Sequence, residues 1–219
     1  MNLALRGAVS ATVFAGLVSS SFGWNVLNPG GFTLMDNTGP GIPTDLGTVI
    51  ASKTSNITGL DNNNNVIFTG FVYSTVVQYD GAGDLAFGFF LHNDATSRDP
   101  IERLTVKDFG GFATSVTNGD ASFGPPTFPH SFFASRSNDG AVLGFNWVVG
   151  AGDGEILPGD EGRFVWIETD AKHYTDGELS AIDGGVGNTD TYAPAVPEPA
   201  TMAFLGIGAM SLIRRRRNR

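Results

Sequence analysis

The chain has 219 residues, 30 of them glycine and none cysteine, with a formal net charge of −9. Between Trp24 and Pro199 seven basic residues stand against 22 acidic ones, so this stretch repels nucleic-acid phosphates and anionic membrane surfaces and lacks the electrostatic drive to bind either. The absence of cysteine excludes disulfides, thiolate catalysis and Cys-ligated zinc, leaving an ordinary apolar core, which a body of roughly 175 residues is long enough to build.

Taken in chain order, residues 1–23 read as a secretory signal peptide. A short basic start, "MNLALR", precedes the apolar run "GAVSATVFAGLVSSS", and Ser21 and Gly23 occupy the −3 and −1 positions of a cleavage site that would leave Trp24 first. Residues 24–188 read as one β domain. In "LAFGFFLH", Leu85, Phe87, Phe89 and Leu91 share one face and Ala86, Gly88, Phe90 and His92 the other, the period of a strand. "AVLGFNWVV" does the same with Leu143, Phe145, Trp147 and Val149, and "NVIFTGFVYSTVVQY", "ERLTVKDF", "FATSVT", "SFFAS" and "GRFVWIET" add β-branched and aromatic segments. Turn chemistry punctuates them, in "DNNNN", "DGAGD", "TNGD", "SNDG", "GAGDG" and "LPGDEG". The expectation is an all-β fold, an antiparallel β-sandwich of eight or so strands in two sheets, immunoglobulin-like or jelly-roll. Residues 189–196 lose this periodicity and gain alanine and proline, so a linker of extended chain is expected there.

Few residues of the body point to chemistry. Asp153, Glu155, Asp160 and Glu161 are close in sequence, and glycoside hydrolysis needs two carboxyl groups facing a sugar, yet all four lie in Gly-Pro turns where acidic side chains serve solubility. Calcium is a better use of such oxygens: Asp80 with Asp84, or Asp183 with Asn188 and Asp190, would wrap a hard cation. No stretch matches an Asp-x-Asp-x-Asp-Gly loop, so turn chemistry is the plainer reading and no metal ligand is assigned. His92, His130 and His173 show no metal-binding spacing, and the body contains neither a Gly-x-Ser-x-Gly elbow nor a phosphate-cradling glycine pattern; no catalytic residue is assigned. In "GRFVWIET", a sheet that buries Val165 and Ile167 turns Phe164 and Trp166 the other way. An exposed Trp166 would stack on a sugar ring and is the candidate ligand-binding residue; burial in a second sheet is the competing outcome.

The last residues differ in kind. Pro197, Glu198 and Pro199 precede a 14-residue apolar run from Ala200 to Ile213, and Arg214, Arg215, Arg216 and Arg217 follow it. As a helix the run rises roughly 21 Å against a hydrocarbon core of about 30 Å, too short for a comfortable permanent span unless the arginines snorkel and the bilayer thins. Arginines beyond an apolar segment stay cytoplasmic, which places the body outside. The prolines cannot continue a helix and leave Glu198 in an extended, accessible stretch.

Together the triplet, the glycine-containing apolar run and the arginine block resemble the PEP-CTERM sorting signal of exopolysaccharide-producing Gram-negative bacteria, and the resemblance covers residues 197–219. It implies a membrane-embedded exosortase as processing partner, with Pro197, Glu198 and Pro199 as recognition residues and Arg214, Arg215, Arg216 and Arg217 as the cytoplasmic stop. The protein would be exported across the inner membrane, held there by a short C-terminal transmembrane helix until processed, and then passed to the cell surface or extracellular matrix. The stretches "RLTVKDFGGFATSV" and "ILPGDEGRFVWIETDAKHYTDGELSAIDGG" are similar to bodies found in front of this signal, to which no activity is assigned. The expected function is a non-enzymatic surface or matrix protein that binds exopolysaccharide or calcium and no nucleic acid; the alternative is a secreted polysaccharide hydrolase using the carboxylates of residues 150–162.

Overall fold

The computed structural model describes residues 24–35, 39–40, 42–79, 81–119, 129–148 and 154–195. The expected signal peptide over 1–23 and the sorting segment over 197–219, with Pro197, Glu198, Pro199 and the four arginines, lie outside the described residues, as do Asp80 and Asp153.

Alternating apolar residues and Gly/Asn/Asp turns give strands almost throughout. They are β1 (Asn25–Val26), β2 (Phe32–Leu34), β3 (Thr48–Leu60), β4 (Val66–Gln78), β5 (Leu85–Asn93), β6 (Arg103–Val106), β7 (Thr114–Asn118), β8 (Phe133–Arg136), β9 (Leu143–Asn146), β10 (Val165–Thr169), β11 (Tyr174–Asp183) and β12 (Gly185–Pro194), with one helical turn, α1 (Pro43–Leu46). The longest hairpin, β3–β4, turns at Asp61, whose Oδ1 accepts the Asn63 and Asn65 amides at 2.7 and 2.9 Å, while Asn64 takes a left-handed φ of 61°. Asparagine tolerates that conformation, which is why the asparagine run works as a turn. Among the described residues no helix is long and apolar enough to cross a membrane.

The expected two-sheet sandwich is corrected by the pairing. All twelve strands belong to one sheet in the order β1-β7-β10-β5-β4-β3-β12-β11-β6-β9-β8-β2, and the strand pairs are antiparallel. The first and last members, β1 and β2, belong to one short stretch of chain, so the two edges are held close together and the sheet curls into a nearly closed barrel. Period-two alternation is common to sandwiches and barrels, and the pairing that separates them is non-local.

The interior is filled by the faces that the alternation predicts. Leu85, Phe87, Phe89 and Leu91 of β5 meet Leu143, Phe145 and Trp147 of the β9 segment, Val165 and Ile167 of β10, and Leu179 and Ala181 of β11 in one buried cluster. At about 25 cal/mol per Å² of apolar surface removed from water, such a cluster dominates the stability of a chain without disulfides.

Side chains close the seam between β7 and β8. Arg136, 6% exposed, uses all five of its N–H donors: Nε to the Gly140 carbonyl at 2.9 Å, Nη1 to the Leu27 carbonyl and Thr114 Oγ1 at 3.0 and 2.8 Å, and Nη2 to the Phe109 and Phe112 carbonyls at 2.9 and 2.8 Å. Burial lowers its pKa and the Asp170 carboxylate pulls it back up. Further along, Asn118 Nδ2 donates to the Ser131 carbonyl at 2.7 Å and its Oδ1 accepts the Ser131 amide at 3.2 Å.

The expected linker over 189–196 is also corrected. From Gly185 to Pro194 the chain is β12, paired with β11 through Tyr174↔Pro194, and the Ala195 amide donates to the His173 carbonyl at 2.9 Å. Proline and alanine end this strand without loosening it, because Pro194 sits in the final pair and Ala193 is buried in the wall.

Candidate aromatic groove on the barrel wall

The outer face of β4, β5 and β10 is apolar as well as the inner one. Leu46, Val77, Ala86, Phe90, Phe164 and Trp166 form a second buried cluster, flanked by Trp24, Phe71, Tyr73 and Tyr79. Gly39 makes a parallel bridge with Gly119, and α1 brings Leu46 down onto the cluster. Trp166 is thereby fully buried, its Nε1 donating to the Pro40 carbonyl at 2.9 Å. The expectation that Trp166 stacks on a sugar is corrected: its ring lies over Gly88, where a Cβ would come within 2.4 Å of Cζ3, and no face of it is open.

Beside that covered patch the same wall opens into a groove of about 360 Å³, lined by Pro43, Thr54, Phe71, Tyr73, Phe90 and Phe164. Strand register builds it in two rows. Thr54 pairs with Tyr73 and Tyr73 with Phe90; Asn56 pairs with Phe71 and Phe71 with His92, which bridges to Glu161. Residues directly opposite on one face of a sheet lie close enough to touch, so each row runs from a polar β3 residue across aromatic rings. Phe164 stacks on Trp166 at 5.1 Å and 16°, packs against Phe90 at 5.4 Å, and meets the Tyr73 ring edge-on at 6.1 Å. The buried indole is therefore the backing of the groove.

At one end His92 stacks on Phe71 at 4.8 Å and stands between two carboxylates, Asp94 at 3.5 Å from Nε2 and Glu161 at 3.5 Å from Nδ1. Chemically the site offers flat apolar faces bordered by hydroxyl, amide and carboxylate groups. It matches the general anatomy of a small-molecule site, concave and mainly apolar with a few placed polar groups.

The remaining candidates scatter. Glu161 is on the groove side, Asp160 accepts the Asn93 amide through its backbone carbonyl, and Glu155 faces the opposite acidic group, where burial and the charges of Glu102, Asp99 and Glu155 push Asp183 up to about 6. Of the calcium candidates, Asp84 pairs with Lys172, Asn188 accepts the Ser180 hydroxyl at 2.6 Å, and Asp190 stands opposite Glu178. Among the described residues no three His, Asp or Glu side chains come together as metal ligands. His130 is half-buried, its pKa lowered by burial and by Arg163, and His173 is exposed.

Sequence reasoning missed Phe71, Tyr73 and Phe90 as site residues. The available signal was apolar character on both faces of β4 and β5, which means that both faces are covered or that one of them binds something.

The family model of the PEP-CTERM protein-sorting motif matches residues 195–217. No curated protein and no solved structure matches the chain. The matched range contains Pro197, Glu198, Pro199, the apolar run and Arg214, Arg215, Arg216 and Arg217, so the chain carries a PEP-CTERM sorting motif at its C-terminal end, which supports an exported protein sorted by an exosortase.

Proposed function

We propose that the processed body is a non-enzymatic saccharide-binding protein of the cell surface or extracellular matrix, and that the aromatic groove takes sugar units of the exopolysaccharide. The observation that carries this reading is the pair of rows Thr54–Tyr73–Phe90 and Asn56–Phe71–His92, which set aromatic faces beside hydrogen-bonding groups. A pyranose ring presents the complementary surface: apolar C–H faces and a rim of hydroxyls. Neutral rings in the groove also suit a body whose acidic charge would repel polyanions.

The test uses processed protein purified from the producing cells and the polysaccharide those cells make. Wild type is expected to bind it, and the double variant Phe71→Ala, Tyr73→Ala to bind about tenfold more weakly, as read by calorimetry or affinity electrophoresis. Equal binding by the two proteins, or none by either, overturns the reading. Incubation should release no new reducing ends; release that disappears in Glu155→Ala and Asp160→Ala would instead identify a hydrolase.

A further inference from the structure

The aromatic groove is uncharged along its lining and negative at one end. His92 stands directly opposite Phe71 on the neighbouring strand and stacks on it at 4.8 Å, so a sugar ring seated on Phe71 ends against the imidazole and the two carboxylates beside it. The fold holds both carboxylates in place. The Asp94 amide donates to the Thr69 carbonyl at 2.9 Å and its Oδ2 accepts the Thr69 hydroxyl at 2.7 Å, while the Ser97 hydroxyl bonds both the amide and the carbonyl of Thr69. Glu161 is fixed by its bridge to His92 and by the following amide, Gly162, which donates to the Leu91 carbonyl at 2.8 Å.

The charge at that end is not balanced. Among the described residues no lysine or arginine pairs with either carboxylate. Their one shared neighbour is His92, whose Nε2 and Nδ1 each stand 3.5 Å from a carboxylate oxygen, and whose Nδ1 is shut off from water without a hydrogen bond. Two carboxylates against one imidazole leave the group net negative whether the ring is neutral or protonated. With 43% and 35% of their side chains exposed, Asp94 and Glu161 are open to a ligand. An ammonium group brings three donors and the opposite charge, an acetylated amine brings no charge, and a uronate is repelled. We infer that the groove selects saccharides by charge: the unit at its His92 end carries a free amine, and Asp94 and Glu161 are the residues that choose it. The aromatic rings bind any pyranose face alike, so this end supplies the discrimination that they lack.

This inference rests on the saccharide-binding reading, and the experiment separates the two. Processed protein from the producing cells is titrated with glucosamine, N-acetylglucosamine and galacturonate oligomers of equal length, in low-salt buffer acidic enough to keep the amines protonated. The glucosamine oligomer should bind about fivefold more tightly than the acetylated one, the galacturonate oligomer most weakly, and the preference should fade as salt is raised. Asp94→Asn with Glu161→Gln, near-isosteric changes at partly exposed positions, should bring the glucosamine oligomer down to the acetylated one and leave binding of the latter unchanged. Asp108→Asn with Asp139→Asn removes as much charge from exposed positions on the β6–β9 side of the barrel and should keep the preference. Equal binding of the glucosamine and acetylated oligomers by wild type, a preference that the Asp94/Glu161 variant keeps or the Asp108/Asp139 variant loses, or a lysine oligomer of equal charge bound as tightly overturns the inference. Failure of the saccharide reading looks different: none of the three sugar oligomers binds, or Phe71→Ala with Tyr73→Ala binds all of them as wild type does, and the inference then falls with it.

Discussion

Where β7 faces β8 the barrel closes through side chains, Arg136 and Asn118 reaching across to Thr114, Leu27 and Ser131; where β4, β5 and β10 run side by side, the backbone ladder is complete and aromatic rings seal the outer face. The two solutions tolerate change differently. A buried hydrogen-bond network fails as a unit, because every partner left behind is a desolvated polar group. An apolar cover is softer: it can leave part of itself open, and the groove is that open part. The seam therefore belongs to stability, and the wall is where binding can arise without threatening the fold.

The strongest way to break this contrast is at the seam. Arg136→Met keeps the volume roughly but removes five hydrogen bonds from acceptors in and around the seam, the Gly140 and Phe112 carbonyls losing most because the Leu27, Thr114 and Phe109 oxygens keep other partners; it should cost about 3–5 kcal/mol, seen as a lower urea midpoint at unchanged slope. A loss below about 1 kcal/mol would mean that the seam is ornamental. On the wall, Gly88→Ala drives a methyl group into the Trp166 ring and should cost about 1–3 kcal/mol, with loss of the protected Trp166 indole N–H in hydrogen exchange. Tyr73→Ala, at the half-buried groove, should cost about 1–2 kcal/mol, roughly half the value of a fully buried ring, while weakening saccharide binding, so that stability and binding separate here as they cannot at Arg136.

The smallest effect is expected at the far mouth of the barrel. Asp183 has its pKa raised to about 6 from 3.8, first by burial and then by Glu102, Asp99 and Glu155. The folded state thus holds a proton more tightly than the unfolded one, so its contribution is fully present below pH 3.8 and is lost as the pH rises through about 6. Asp183→Asn should flatten that decline when Tm is followed from pH 4 to 7.5, and a decline unchanged by the substitution would assign it to other carboxylates.

How much of this could be read from the chain differs by region. The inner faces of β5, β9 and β10 followed directly from alternation, since residues two apart point the same way whatever the strand pairs with. The turns at Asp61–Asn65 and Ser137–Gly140 followed from residue chemistry. Trp166 did not: its placement needed Gly88 on the next strand and Pro40 from a distant segment. Arg136 gave no sign at all, because an arginine at the end of a strand looks solvent-facing until five acceptors from three segments, Leu27, 109–114 and Gly140, converge on it.

By itself the sequence determined the all-β class, the core-facing half of most strands and the sorting motif, because each is written in local chemistry: period, turn residues and, at the C-terminal end, the order of prolines, apolar run and arginines. Only the tertiary structure decided that the sheet closes on itself, that the presumed linker is the last strand of the wall, and that Trp166 backs a groove rather than lining it. Those outcomes depend on which strands find one another across long stretches of chain, and pairing between distant strands leaves no mark within any one of them.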